Sequence, residues 1–107
     1  MPPVKPTMRG KRRYIMFEIV CEGALNGVQV KRAAYDSILT FLGEYGSSLA
    51  SPKFIGFDLK RKLAVIKCAH SELANVEAAL ALVRSVEGKK AAFHLKKVSG
   101  TIAGLSR

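Results

Sequence analysis

Lys11, Arg12 and Arg13 form one run of cations, and Lys96 and Lys97 form another near the opposite end of the sequence. Clustered lysines and arginines neutralise phosphates, so these runs point to a polyanion bound with strong salt dependence. Arg9 and Lys90 flank the two runs and join them as candidate backbone contacts. Ser99, Gly100 and Thr101 follow the second run, and a turn there would bring main-chain N–H groups toward a phosphate. Glycine reverses a chain anywhere, so the turn alone does not require an anion.

Other chemistries are weakly supported. Gly27-Val28-Gln29-Val30-Lys31-Arg32 resembles the phosphate-cradling loop of acylphosphatases, but Val30 stands where a second glycine would let the amides converge on an anion. Cys68 and His70 are close enough to suggest two metal ligands, yet Cys21 and His94 do not make a second spaced pair. Nothing orients Ser99, His70 or His94 as parts of a nucleophile–base system. No catalytic residue, metal ligand or protein-bound cofactor is therefore assigned.

The distribution of charge sharpens the polyanion reading. In 107 residues, 18 Lys+Arg face 8 Asp+Glu, a formal charge of +10. Residues 1–13 hold five cations and no carboxylate; residues 14–83 hold seven of each; residues 84–107 hold six cations and only Glu87. The excess is entirely terminal. A hydrophobic content of 49% supports a packed core, and the length suits one domain. No apolar run approaches the ~18 residues of a membrane span, and Glu18 interrupts the one N-terminal apolar stretch, so a cytoplasmic location without membrane attachment is expected. Two cysteines are too few for a disulfide scaffold and read as buried thiols.

The elements that must position these cations follow from periodicity. Pro2, Pro3, Pro6 and Gly10 make residues 1–11 an extended basic arm, leaving 12–107 as a single α+β domain. Ile15, Phe17, Ile19 and Cys21 alternate through a strand at 12–22. Ala34, Ile38, Phe41, Leu42 and Tyr45 keep helical spacing from Val28 until Gly46 can end the helix. Strands at 54–59 and 63–69 flank Lys60-Arg61-Lys62; a second helix, capped by Ser71, carries Leu73, Val76, Leu80 and Val83 until Gly88 stops it; a last strand spans 90–97.

This βαββαβ order implies a ferredoxin-like, RRM-like two-layer sandwich: a four-stranded antiparallel sheet with two helices on one face. The first and third strands are then central, with the fourth beside the first. The start of the first strand meets the end of the fourth, joining the two basic runs at one corner. The strand at 63–69 has no aromatic, and the first strand offers only Tyr14 to the open face, which argues against base stacking across the sheet. Phe17, Phe41, Tyr45, Phe57 and Phe93 are expected in the core. Met16, Val20 and Val65 on the open face suit a protein contact. An RNA-binding protein, a small acylphosphatase-like enzyme and a basic module for an acidic protein all fit these observations.

The segments Arg12-Arg13-Tyr14-Ile15, Leu42-Gly43-Glu44-Tyr45-Gly46, Phe57-Asp58 and Val98-Ser99-Gly100-Thr101-Ile102 occur in an order that resembles the archaeal component 2 family of ribonuclease P proteins. These are relatives of the Pop-five-type subunit of ribonuclease P and MRP, and the resemblance runs from about Pro2 to Ile102. It implies an RNA-binding subunit of the cytoplasmic ribonucleoprotein endonuclease that removes 5′ leaders from precursor tRNA. Catalysis would belong to the RNA and its Mg²⁺, and the protein would supply electrostatics and positioning. The implied partners are ribonuclease P RNA, ribonuclease P protein component 3, precursor tRNA indirectly, and a second copy of the chain within a heterotetramer.

Overall fold

The computed structural model describes residues 11–106. The arm proposed for residues 1–11, Arg9 included, lies outside that range except for Lys11. Strand β1 (Arg12–Cys21) leads to helix α1 (Gly27–Ala50), strands β2 (Lys53–Asp58) and β3 (Leu63–Ala69), a 3₁₀ turn (His70–Glu72) and helix α2 (Leu73–Ala81). Strand β4 (Ser85–Val86), strand β5 (Lys89–Ser99) and the short helix α3 (Ile102–Leu105) follow.

The architecture is α+β, and every strand pairs antiparallel in the order β2-β3-β1-β5-β4. As expected, β1 lies between β3 and the last long strand. The sheet has five strands, not four, and a third helix is present. Both additions lack a sequence signal of useful length: β4 is two residues, too short to alternate, and α3 is four. Glu87 and Gly88, expected only to stop a helix, instead make the β4–β5 hairpin turn, both with positive φ (52° and 77°).

Alternation along the strands defines the two faces. Ile15, Phe17 and Ile19 of β1, Ala64, Ile66 and Cys68 of β3, and Ala91 and Phe93 of β5 point into one core. The same core takes Val30, Ala34 and Ile38 of α1 and Val76, Ala79 and Leu80 of α2. Phe17 and Phe93 meet with ring centroids 4.9 Å apart, fixing the strand β1–β5 register at the centre. The opposite face of the sheet is the open one.

Helix α1 departs from the expected stripe. Gly43 takes φ 75°, ψ 178°, a conformation that glycine alone adopts readily, and bends the helix so that it continues past Gly46 to Ala50. Ala50 is buried, whereas Phe41 and Tyr45, expected in the core, are 48% and 79% exposed. Phe41 precedes the bend and flanks an inward stripe that runs through Ala34, Ile38 and half-buried Leu42, whereas Tyr45 follows Gly43, where the bend changes the inward face. Ser71 does not cap α2: Glu72 is the N-cap residue, without a side-chain bond, because the 3₁₀ turn feeds directly into the helix.

Candidate nucleic-acid interface

The antiparallel pairing of β1 with β5 brings the two basic runs together. Tyr14 pairs with Ser99 and Met16 with Lys97, so Arg12 and Arg13 extend beside the chain leaving β5. The Arg13 guanidinium lies close against Gly100, with Nη1 3.5 Å from where a Cβ would sit. Its Nη1 also donates to the Arg12 carbonyl oxygen at 3.0 Å. Arg12 Nη1 donates to the Ser51 carbonyl oxygen at 3.5 Å, tying the strand start to the end of α1. The Lys11 carbonyl accepts the His70 N–H at 2.8 Å, holding Lys11 at this same end. Lys11, Arg12, Arg13, Lys97, Ser99, Gly100 and Thr101 thus share one corner.

Lys96 reaches the site differently. Phe17 pairs with Leu95 and Met16 with Lys97, leaving Lys96 as the extra residue of a β-bulge. Its Nζ lies 3.3 Å from Glu18 Oε1, so a carboxylate partly offsets its charge. Spacing in the sequence gives no sign of that partner. Lys90 is not at the corner: its carbonyl accepts the Glu22 N–H at 3.1 Å, at the other end of β5. Seven residues separate it from Lys97, roughly 23 Å along a strand.

The Ser99–Thr101 turn forms, but its groups also bond internally. Ser99 Oγ accepts the Thr101 N–H at 3.2 Å, and Thr101 Oγ1 accepts the Gly104 N–H at 3.0 Å, capping α3. Leu105 is buried at the end of that helix, which packs on β5 and β1. The VSGTI segment therefore closes a small terminal cap beside the arginines.

On the open face Met16 and Val65 are paired and half-buried. Val20 is 48% exposed and pairs with Ala92, separated from Met16 by Glu18. Tyr14 shares this face, with Lys67 Nζ 6.0 Å from its ring centroid. Lys67 in turn pairs with Lys53, giving a row Lys53–Lys67–Tyr14–Ser99 across four strands that the sequence reading missed.

The alternative chemistries find little geometry. Gly27 to Arg32 is the first part of α1, where Asn26 Oδ1 accepts the Gln29 N–H at 2.9 Å and Gln29 Oε1 accepts the Asn26 N–H at 3.0 Å. That capping box occupies the position of the supposed phosphate cradle. Cys68 faces the core while His70 is exposed, so the two do not converge. Burial pushes the Cys68 thiol up to about 11; Glu77 and Glu72 add to the rise and Arg12 opposes it. Among the described residues no His, Cys, Asp and Glu side chains cluster as a set of three or more metal ligands.

The chain and its fold have relatives among known proteins. The Rpp14/Pop5 family model matches residues 13–107. Ribonuclease P protein component 2 of Pyrococcus furiosus is 37% identical over 102 residues, covering 95% of this chain and 85% of that protein. The protein of the same name from Thermococcus gammatolerans is 38% identical with the same coverage. A chain in a cryo-EM structure of yeast ribonuclease MRP shares the fold, with TM-score 0.67 at 13% identity, covering 85% of this chain and 75% of that one. With residues 13–107 spanned by the family model, the chain belongs to the Rpp14/Pop5 family.

Proposed function

We propose that the chain serves as an RNA-binding protein subunit of ribonuclease P, the endonuclease that trims the 5′ leader of precursor tRNA. Its relatives across nearly its full length are ribonuclease P protein components. The observation that carries the RNA contact is the β1–β5 pairing that gathers cations from opposite ends of the chain. Lys11, Arg12, Arg13 and Lys97 engage the RNA backbone, with Lys96 shared between Glu18 and solvent and the Ser99–Thr101 cap shaping the corner. The polypeptide adds electrostatics and position; the RNA and its Mg²⁺ perform the cleavage. Such a subunit works in the cytoplasm, on the ferredoxin-like plan that the strand order supports.

Met16, Val20 and Val65 form the contact to ribonuclease P protein component 3 or to a second copy of the chain. A salt titration of RNA binding by filter retention tests the corner. Arg12→Ala with Arg13→Ala lowers the slope of log affinity against log salt by about two if each arginine neutralises one phosphate. An unchanged slope removes them from the interface. For the partner face, Met16→Lys weakens the complex with component 3 or self-association in light scattering; an unchanged complex mass assigns those contacts elsewhere.

A further inference from the structure

The middle of the sequence balances its charges, but folding divides them: β2, β3 and the turn between them hold Lys53, Lys60, Arg61, Lys62 and Lys67 against Asp58 alone. The strands hold eight cations (Arg12, Arg13, Lys53, Lys67, Lys89, Lys90, Lys96 and Lys97) against two carboxylates, Glu18 and Asp58. The helical segments reverse this balance: Lys31 and Arg32 face Asp36, Glu44, Glu72 and Glu77. The sheet layer is consequently basic beyond the corner, and most of it lies where no helix covers it. Helix α3 packs on β5 and β1, away from the β2–β3 half of the sheet.

That half carries its own cations. Lys53 is exposed and paired with Lys67 across β2 and β3. Lys67 is half-buried, its stem lying on the sheet while its ammonium stays near the Tyr14 ring. At the other end of the two strands, Lys60, Arg61 and Lys62 form an exposed hairpin. Asp58 Oδ1 fixes this turn by accepting the N–H groups of Lys60 and Arg61 at 3.0 and 3.2 Å. The Lys62 carbonyl accepts the Ile19 N–H at 2.8 Å, anchoring the hairpin to β1. Four residues along β3 separate Lys67 from Leu63 at the hairpin, about 13 Å. Gly56 and Leu63 form the floor between, and Gly56 pairs with Val65, where the lane borders the partner face.

We infer that this lane, from Lys53 and Lys67 to the Lys60–Lys62 hairpin, is a second backbone-binding surface that receives a helical segment of RNA. The inference rests on the RNA-binding reading above and extends it from the corner onto the sheet. Cations at both ends complement phosphate, the floor between them offers no aromatic on which an unpaired base could stack, and the Tyr14 ring at the lane's edge is faced by the Lys67 ammonium. Sequence-reading single-strand modules use such aromatics, whereas RNA duplexes are held through backbone and shape. The lane therefore selects duplex over single strand and ignores sequence.

The test is a salt titration with a perfectly paired RNA hairpin, using the full chain carrying Lys53→Gln and Lys67→Gln. Both positions are on the outer surface of the sheet, and circular dichroism checks that the fold is kept. The slope falls by about 1.8, at 0.9 for each duplex phosphate released. Lys31→Gln, on α1, leaves it unchanged. A slope unaltered by the paired glutamines, while Arg12→Ala with Arg13→Ala still lowers it, overturns the lane and leaves the corner standing. Loss of neither slope removes both. Tighter binding of oligouridine than of the hairpin at equal salt overturns the duplex preference, and poly-L-glutamate competing as well as RNA assigns the lane to an acidic protein instead.

Discussion

Replacing Gly43 with alanine tests whether the bend in α1 is a requirement of the fold. At φ 75° and ψ 178° the residue sits where a Cβ is disfavoured, yet no atom lies within 4 Å of the position that Cβ would take. The cost is therefore conformational and not a collision. An L-residue held in this region costs about 1–3 kcal/mol. The lower entropy of the unfolded alanine chain returns about 0.4–1 kcal/mol, leaving a net loss of roughly 1–2 kcal/mol. For a domain of this size that lowers Tm by roughly 4–15 °C. Straightening the helix offers no free escape: it withdraws buried Ala50 from the core and moves Ser51, whose carbonyl accepts the Arg12 guanidinium. Thermal melting followed by circular dichroism, with the Gly43→Ala and parent chains side by side, reads the difference. An equal or higher Tm for Gly43→Ala would show that the bend is dispensable and would refute the assignment of Ala50 as an anchor for the second half of α1.

Three further outcomes follow from the terminal cap and the buried thiol. Gly104→Ala places a methyl against Ser99 Oγ and close to Thr101 Oγ1, so α3 loosens and Leu105 is exposed, at a cost of about 1–3 kcal/mol. Adding Ser99→Ala to the same chain recovers part of that loss in a double-mutant cycle of melting temperatures; no recovery would place the strain elsewhere. Cys68 stays unreactive toward a thiol reagent at pH 8 in the folded chain, whereas half-buried Cys21 is labelled first, as mass spectrometry after limited reaction would show. Because folding raises the Cys68 pKa from 9.0 to about 11, the unfolded chain loses that proton first. The contribution of this thiol to stability is full below pH 9 and declines as pH rises through 11; a pH-independent midpoint in urea for the parent, matching Cys68→Ala across this range, would contradict it.

The primary sequence was sufficient for the order of the long elements and for the identity of most of the core. Period-two alternation through Ile15, Phe17 and Ile19 marks one buried strand face, and Leu73, Val76 and Leu80 keep the spacing of a helix; both signals are local and survive without tertiary knowledge. Antiparallel topology then brings Arg12 and Arg13 to Ser99 and Gly100, which is why the basic corner was legible from the order of elements alone. Tertiary structure decided the rest. The bend at Gly43 turned Tyr45 outward because one glycine dihedral resets the face of everything after it, while Phe41, ahead of the bend, lies beside a stripe that runs through Ile38 to Leu42. The bulge at Lys96 gave it Glu18 as a partner, and the length of β5 carried Lys90 away from Lys97. Above all, a middle segment of zero net charge divides into a basic β2–β3 hairpin and acidic helices, since charge summed along a chain says nothing about which element each side chain joins. Pairing across strands sets that, as Lys53 beside Lys67 illustrates.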